Sequence, residues 1–208
     1  MPVIGPTPPA AGGATPRNLG GTELKRLHRD WRRRTEGRLG LLLDGVQNPF
    51  NVGAILRTAA AFSVDHLWLV GAPSPSDAKV QKTALGSQRF CTWTDHETSL
   101  EAVAAARAAG FRIVGVELAE GAAPLHQVDL SAPVCLAIGH EDRGLSKDLL
   151  SSCDALAYIP QLGRIGSLNV ATATAIACYE ARRSSWTTAG GDTSASPDPA
   201  GRGRPGLS

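Results

Sequence analysis

The chain has 208 residues, 42% of them hydrophobic and 19% charged, with 21 Lys and Arg against 19 Asp and Glu. That length holds one domain with a sizeable core and leaves room for a short helical appendage, while a net charge of +2 says little by itself. Cysteines at 91, 135, 153 and 178 form no Cys-x-x-Cys pair, no histidine stands at zinc-ligand spacing, and no apolar run approaches the about 18 residues of a membrane span, which excludes a disulfide framework, a zinc module and a transmembrane protein.

Residues 1–21 are rich in Pro, Gly, Ala and Thr and read as a disordered segment. They lack a basic stretch followed by an apolar core, so no secretory leader is expected, and the cysteine pattern fits a reducing, cytoplasmic compartment. Residues 22–37 read as a basic N-terminal helix. Thr22 is placed to cap it, and Leu24, Leu27 and Trp31 form its apolar stripe. The other faces carry Lys25, Arg26, Arg29, Arg32, Arg33 and Arg34 against Glu23, Asp30 and Glu36. Such a helix suits a phosphate-rich partner; a solvated face or an oligomer rim explains it equally well.

Residues 38–186 alternate strand and helix. Strands are expected at 39–43, 64–70, 111–117, 134–138 and 155–159. Helices are expected at 51–62, 76–85, 99–109 (with Gly110 closing the last turn), 146–150 (capped by Ser146) and 168–183. Continuous apolar strands interleaved with helices give the fold class: α/β, a mostly parallel sheet with helices on both faces. Residues 187–208 read as a disordered tail, since 17 of the 22 are Gly, Pro, Ser, Thr or Ala.

Three polar segments follow strands, where open α/β sheets bind ligands. Asn48-Pro49-Phe50-Asn51-Val52-Gly53 opens a helix that carries Arg57. The bland reading is a turn and a cap at Asn48 and Asn51. Gly53 costs helix propensity, which points to a close backbone approach, and Arg57 amid an apolar helix reads evenly as a structural ion pair or as substrate chemistry. Gly139-His140-Glu141-Asp142-Arg143-Gly144-Leu145-Ser146 has neither the residues nor the position of a dinucleotide fingerprint. Gly163 and Gly166 lead into Ser167-Leu168-Asn169, where exposed backbone groups suit an adenine edge or a carboxylate. His28, His66, His96, His126 and His140 show no triad or metal spacing, and Trp31, Trp68, Trp93 and Trp186 show no base-stacking period.

Together these segments resemble the SpoU/TrmH family of SPOUT RNA 2'-O-ribose methyltransferases. The resemblance runs over about residues 39–183 on Asn48 to Arg57, Ile138 to Ser146 and Ile159 to Val170; the stretch from Lys82 to Ser87 is also familial. It implies a C-terminal trefoil knot, which no bottom-up rule would propose, a homodimer with its site near the subunit interface, and S-adenosylmethionine as cofactor. Carried over residue by residue, it implies catalytic roles for Arg57, Asn51, Glu141, Ser167 and Asn169. It implies cofactor contacts at Ile138, Gly139, Glu141, Ile159, Gly163, Ser167 and Leu168. RNA is then expected to meet Lys25, Arg26, Arg29, Arg32, Arg33, Arg34, Asn48 and Arg57, with Arg182 and Arg183 of the last helix as further contacts; no metal is called for. Gln161 stands where the family commonly has Met, and Ser63 where Gly is common. A tRNA substrate is the first expectation, with ribosomal RNA the runner-up. A non-catalytic RNA-binding protein and a small-molecule α/β enzyme are the alternatives from other classes.

Overall fold

The computed structural model describes residues 17–188 except 132 and 165. The chain divides into two compact parts between Arg34 and Thr35. Among the described residues the first part holds one helix, α1 (Gly21–Arg34). Thr22 is not its cap. The helix begins one residue earlier, and the Glu23 carboxylate accepts the Gly20 N–H at 2.8 Å, a capping-box contact from the third helical position. Arg17 grips the same carboxylate at 2.6 and 2.9 Å. The expected apolar stripe buries nothing: none of the helix's residues is buried, and Leu24 is 42% exposed.

The second part is built on a sheet of seven strands in the order β3-β2-β1-β6-β4-β7-β5, and every pairing in it is parallel. In chain order the strands are β1 (Leu39–Asp44), β2 (His66–Val70), β3 (Trp93–His96), β4 (Arg112–Val116), β5 (Ala123–Pro124), β6 (Val134–Ile138) and β7 (Ala155–Tyr158). The helices are α2 (Pro49–Ala61), α3 (Ala78–Ala84), α4 (Ser99–Ala108), α5 (Lys147–Ser152) and α6 (Val170–Thr188), with a 3-10 turn at Ser87–Phe90. β1 is buried along its whole length because it lies between β2 and β6 with helices on both faces. Its alternation divides the core. Leu41 and Leu43 join the residues of α2 and α6, whereas Leu42 joins those of α4 and α5. Gly40 is required inside this strand: a Cβ there would lie 2.6 Å from the Trp68 ring, which packs edge-on against Phe111.

The expected elements form with their ends shifted by a few residues. α4 ends as foreseen, with Gly110 at φ +87° and the Phe111 N–H returning to Ala106 O. β3 and β5 gave no sequence signal. They are short edge strands without a buried residue, so neither carries an apolar run. Gly53 does mark a close approach, to α3: a Cβ there would stand 2.5 Å from Val80 O and 2.8 Å from Thr83 Cβ. Ser63 sits at φ +49°, a conformation that glycine reaches without strain, which explains why glycine suits the position.

Arg182 is not an RNA contact. It is 5% exposed, and its guanidinium donates to the carbonyls of Phe62 (2.8 Å), Gly37 (3.0 Å) and Ser63 (2.6 Å). Burial pulls its pKa below the usual value. It locks α6 to the end of α2 and to the entry of β1. Arg183 is paired with Glu180 on its own helix. Replacing Arg182 with Met strands three carbonyls away from water and should cost about 3 kcal/mol or more of unfolding free energy, read from urea denaturation. A midpoint within error of wild type would show that the guanidinium is not a structural clamp.

Candidate active site

A cleft of about 460 Å³ opens past the carboxyl ends of β4, β6 and β7. Small-molecule sites are typically of this size, about 300–1,000 Å³. β1, β2 and β3 run to one side of the sheet, and β6, β4 and β7 to the other. The chain therefore reverses its order between β1 and β6, and the crevice beside that point is the expected ligand position in an open parallel sheet. Ile138, Ile159 and Leu168 supply apolar wall, and Glu117, Glu141 and Asp142 supply acid.

The loop after β6 is shaped by two glycines. A Cβ on Gly139 would overlap the backbone of Gly144 and Leu145, so the loop folds flat on itself. His140 and Gly144 exchange backbone hydrogen bonds at 3.0 and 2.9 Å. Gly144 has φ +67°, and a Cβ there would meet the Glu117 carboxylate. That carboxylate accepts the Leu145 N–H at 3.0 Å and so pins the loop from β4. Asp44, at the end of β1, pins it from the other side. One of its oxygens accepts the Ser146 N–H at 2.8 Å, and the other accepts the Ser99 hydroxyl at 2.7 Å. Ser146 caps α5, as its sequence context indicated.

Glu141 is thereby held against the loop after β1. Its carboxylate accepts the N–H groups of Gln47 (3.2 Å) and Asn48 (3.1 Å), and Asn51 Nδ2 at 2.9 Å. Asn51 Oδ1 in turn accepts Asn169 Nδ2 at 3.0 Å. Asn169 Oδ1 accepts the N–H groups of Ala171 and Thr172, which caps α6. Every amide in this chain has one orientation: Asn169 donates to Asn51, and Asn51 donates to Glu141. Burial pushes the Glu141 carboxyl up, but hydrogen bonds from Asn51 and from backbone N–H groups outweigh it and leave the pKa below the usual glutamate value.

The structure thus brings Asn51, Glu141 and Asn169 together, with Asn48 capping α2 through the Phe50 N–H. Ile138, Gly139, Glu141, Ile159, Ser167 and Leu168 line the cleft; Gly163 is exposed and outside that lining. Arg57 is exposed on α2, also outside the lining, and makes no hydrogen bond or ion pair among the described residues. Lys25, Arg26, Arg29, Arg32, Arg33 and Arg34 are all exposed on α1. Sequence reasoning missed Glu117, Tyr158 and Asp44. Each lies at or just past the carboxyl end of a strand, so strand ends alone would have found them, without any glycine motif.

The model of the SpoU rRNA Methylase family matches residues 38–179. The chain is 32% identical over 145 residues to the tRNA (guanosine(18)-2'-O)-methyltransferase of Escherichia coli, a match covering 70% of this chain and 63% of that protein. It is 37% identical to the 23S rRNA (guanosine-2'-O-)-methyltransferase RlmB of Shewanella oneidensis over 69% of this chain and 58% of that one. The AdoMet-bound rRNA methyltransferase of Sinorhizobium meliloti superposes with a TM-score of 0.64 at 36% identity, over 72% of this chain and 57% of that chain. The match therefore spans less than two thirds of the length of these relatives.

The Glu141 network sets a pH dependence. Its folded pKa is depressed, so its stabilisation is fully present above the unfolded carboxylate value of about 4.3 and is lost as pH falls through the lower folded value. Glu141→Gln should lower the melting temperature at pH 7 and flatten its decline below about pH 4.3, measured by thermal denaturation across pH. Parallel curves for the two proteins would remove the carboxylate from this role.

Proposed function

Because the chain belongs to the SpoU rRNA methylase family, we propose that it transfers the methyl group of S-adenosylmethionine to a ribose 2'-hydroxyl of structured RNA, with tRNA as the substrate. The observation that carries this reading is the chain Asn169–Asn51–Glu141 at the rim of the strand-end cleft. The residues of the cleft fit the cofactor. Ile138, Ile159 and Leu168 offer apolar surface to an adenine. Glu117, Glu141 and Asp142 outnumber Arg143 in the lining, so the cleft suits a sulfonium cation better than the phosphates of a dinucleotide. When bound, the cofactor supplies an electrophilic methyl group; the ribose oxygen takes it, losing its proton, and S-adenosylhomocysteine is released.

The work of the chain is to position the oxygen and to lower the cost of its charge. Asn51 and Asn169 hold the loop after β1 and the start of α6 at one spacing. Arg57 carries a planar guanidinium with five N–H donors. Its role in this reading is to hold the ribose and to stabilise the developing alkoxide, with a substrate phosphate accepting the proton. The homodimer and the knotted C-terminal path that the resemblance implies belong to the same proposal. Arg57 stands outside the cleft lining of its own chain, and α6 exposes Ile176 and Tyr179 on one face, an apolar surface that suits a second copy. The α1 cations are proposed to meet phosphate, and the unpaired cysteines suit the cytoplasm. Among the described residues no helix is long and apolar enough to cross a membrane. Ribosomal RNA is the second reading, favoured by the RlmB likeness.

The test is methyl transfer from labelled AdoMet to separated tRNA and ribosomal RNA pools, with the methylated ribose mapped. Label is expected at a 2'-oxygen in the tRNA pool; label in neither pool would overturn the reading. Arg57→Ala should lower kcat about 100-fold or more while AdoMet affinity, read by calorimetry, stays unchanged. Retained turnover would defeat the role given to Arg57.

A further inference from the structure

The segment from Lys82 to Phe90 has no part in the site described above, yet α2 places it beside Arg57. Gly53 lets α3 pack backbone to backbone at Val80, Thr83 and Ala84. Beyond the following 3-10 turn, the Cys91 thiol donates to Leu56 O at 3.5 Å. Arg57 lies one turn after Gly53 on the same helix face and next to Leu56, so the chain between Ala84 and Cys91 passes its base.

That stretch has two costly features. Leu85 adopts φ +49°, which residues with a Cβ avoid, and its side chain is left 70% exposed. Phe90 is 67% exposed, with the Arg89 guanidinium 4.8 Å from its ring centroid. From Ala78 to Thr94 the charged residues are Lys79, Lys82 and Arg89, with no acid among them. An exposed ring, a guanidinium stacked on it and two nearby lysines complement an unpaired nucleotide: a base with a π face on a charged backbone.

We propose that Lys82, Leu85, Arg89 and Phe90 form a docking surface for an unpaired nucleotide of the RNA substrate. The base stacks on the Phe90–Arg89 pair and against Leu85, and the neighbouring phosphate meets Lys82. The inference rests on the methyl-transfer reading and adds a selection rule to it: the nucleotide held beside Arg57 must be free of base pairing, so the modified ribose lies in a loop or bulge.

The experiment is equilibrium binding of the full chain to a short fluorescent oligouridylate and to a blunt RNA duplex of the same length. Methyl transfer to bulk tRNA is measured alongside. Phe90→Ala should weaken oligouridylate binding about tenfold with little change for the duplex, and Phe90→Tyr, which keeps the ring, should restore it. Lys82→Gln should reduce the slope of log affinity against log salt for the single strand by about 0.7. Phe90 is exposed, so melting temperature and AdoMet affinity should hold in the variants. If wild type methylates RNA and Phe90→Ala binds oligouridylate as tightly as wild type, the surface is not a nucleotide platform and serves a protein partner instead, while the methyl-transfer reading stands. If wild type methylates no RNA, the methyl-transfer reading falls and takes this inference with it.

Discussion

A hydrogen-bonded chain from Asn169 through Asn51 to Glu141 is the constraint on which the rest of the site depends. It joins the first turn of α2, the loop after β6 and the start of α6, with partners 90 and 118 residues apart in sequence. Each link is a neutral amide or a carboxylate, and each donor has one acceptor. The two asparagines have no spare orientation: reversing either amide would set N–H against N–H or oxygen against oxygen. The cap of α6, the turn before α2 and the loop after β6 are therefore tied to one another. This is how an open sheet fixes a ligand site with loops, which are otherwise its most mobile parts.

The sheet explains why those loops meet at all. β1 and β6 are neighbours in register, Leu43 beside Ile138, although nearly a hundred residues separate them. Each ends in a tight loop, and the Glu141 carboxylate joins the two by accepting the Gln47 and Asn48 N–H groups. Asp44 and Glu117 then hold the β6 loop from opposite sides through Ser146 and Leu145. These two carboxylates fix the loop, and its residues that line the cleft inherit their positions from them.

Much of this was legible in the sequence because it has periodic or punctuating causes. The apolar run in β1, the Ser146 cap, Gly110 closing α4 and the three polar segments each carry a local signal. Asn169 was readable both as a cap and as a site residue; it caps α6 and also donates to Asn51. What was not legible depends on distance in the chain. Arg182 adjoins Arg183 and nothing local in the sequence separates their roles; only the fold shows three carbonyls converging on Arg182. Glu117 follows a strand without a glycine or asparagine to mark it. β3 and β5 owe their existence to a neighbouring strand's free edge, which no composition records. The apolar residues of α1 form a stripe by spacing alone, and spacing does not say what buries a stripe.

The two ends of the sheet treat acid differently, and the difference bears on function. At the amino ends of β1 and β4, Asp65 accepts the Leu39 N–H and Asp154 accepts the Ile113 N–H. Each of those carboxylates also has an arginine, Arg38 at 3.7 Å and Arg107 at 2.8 Å, so their charge is cancelled locally. At the carboxyl ends, Asp44, Glu117 and Glu141 accept loop N–H groups in the same manner. Among the described residues, none of these three has an arginine or lysine partner. Glu117 and Glu141 line the cleft together with Asp142 and against Arg143, so acid outnumbers base in the lining, and water screens that charge less than at an open surface. A site with that residual field favours a ligand that is itself positive at its centre. Of the common group-transfer cofactors, the sulfonium of S-adenosylmethionine has that property; a nucleoside polyphosphate has the opposite one.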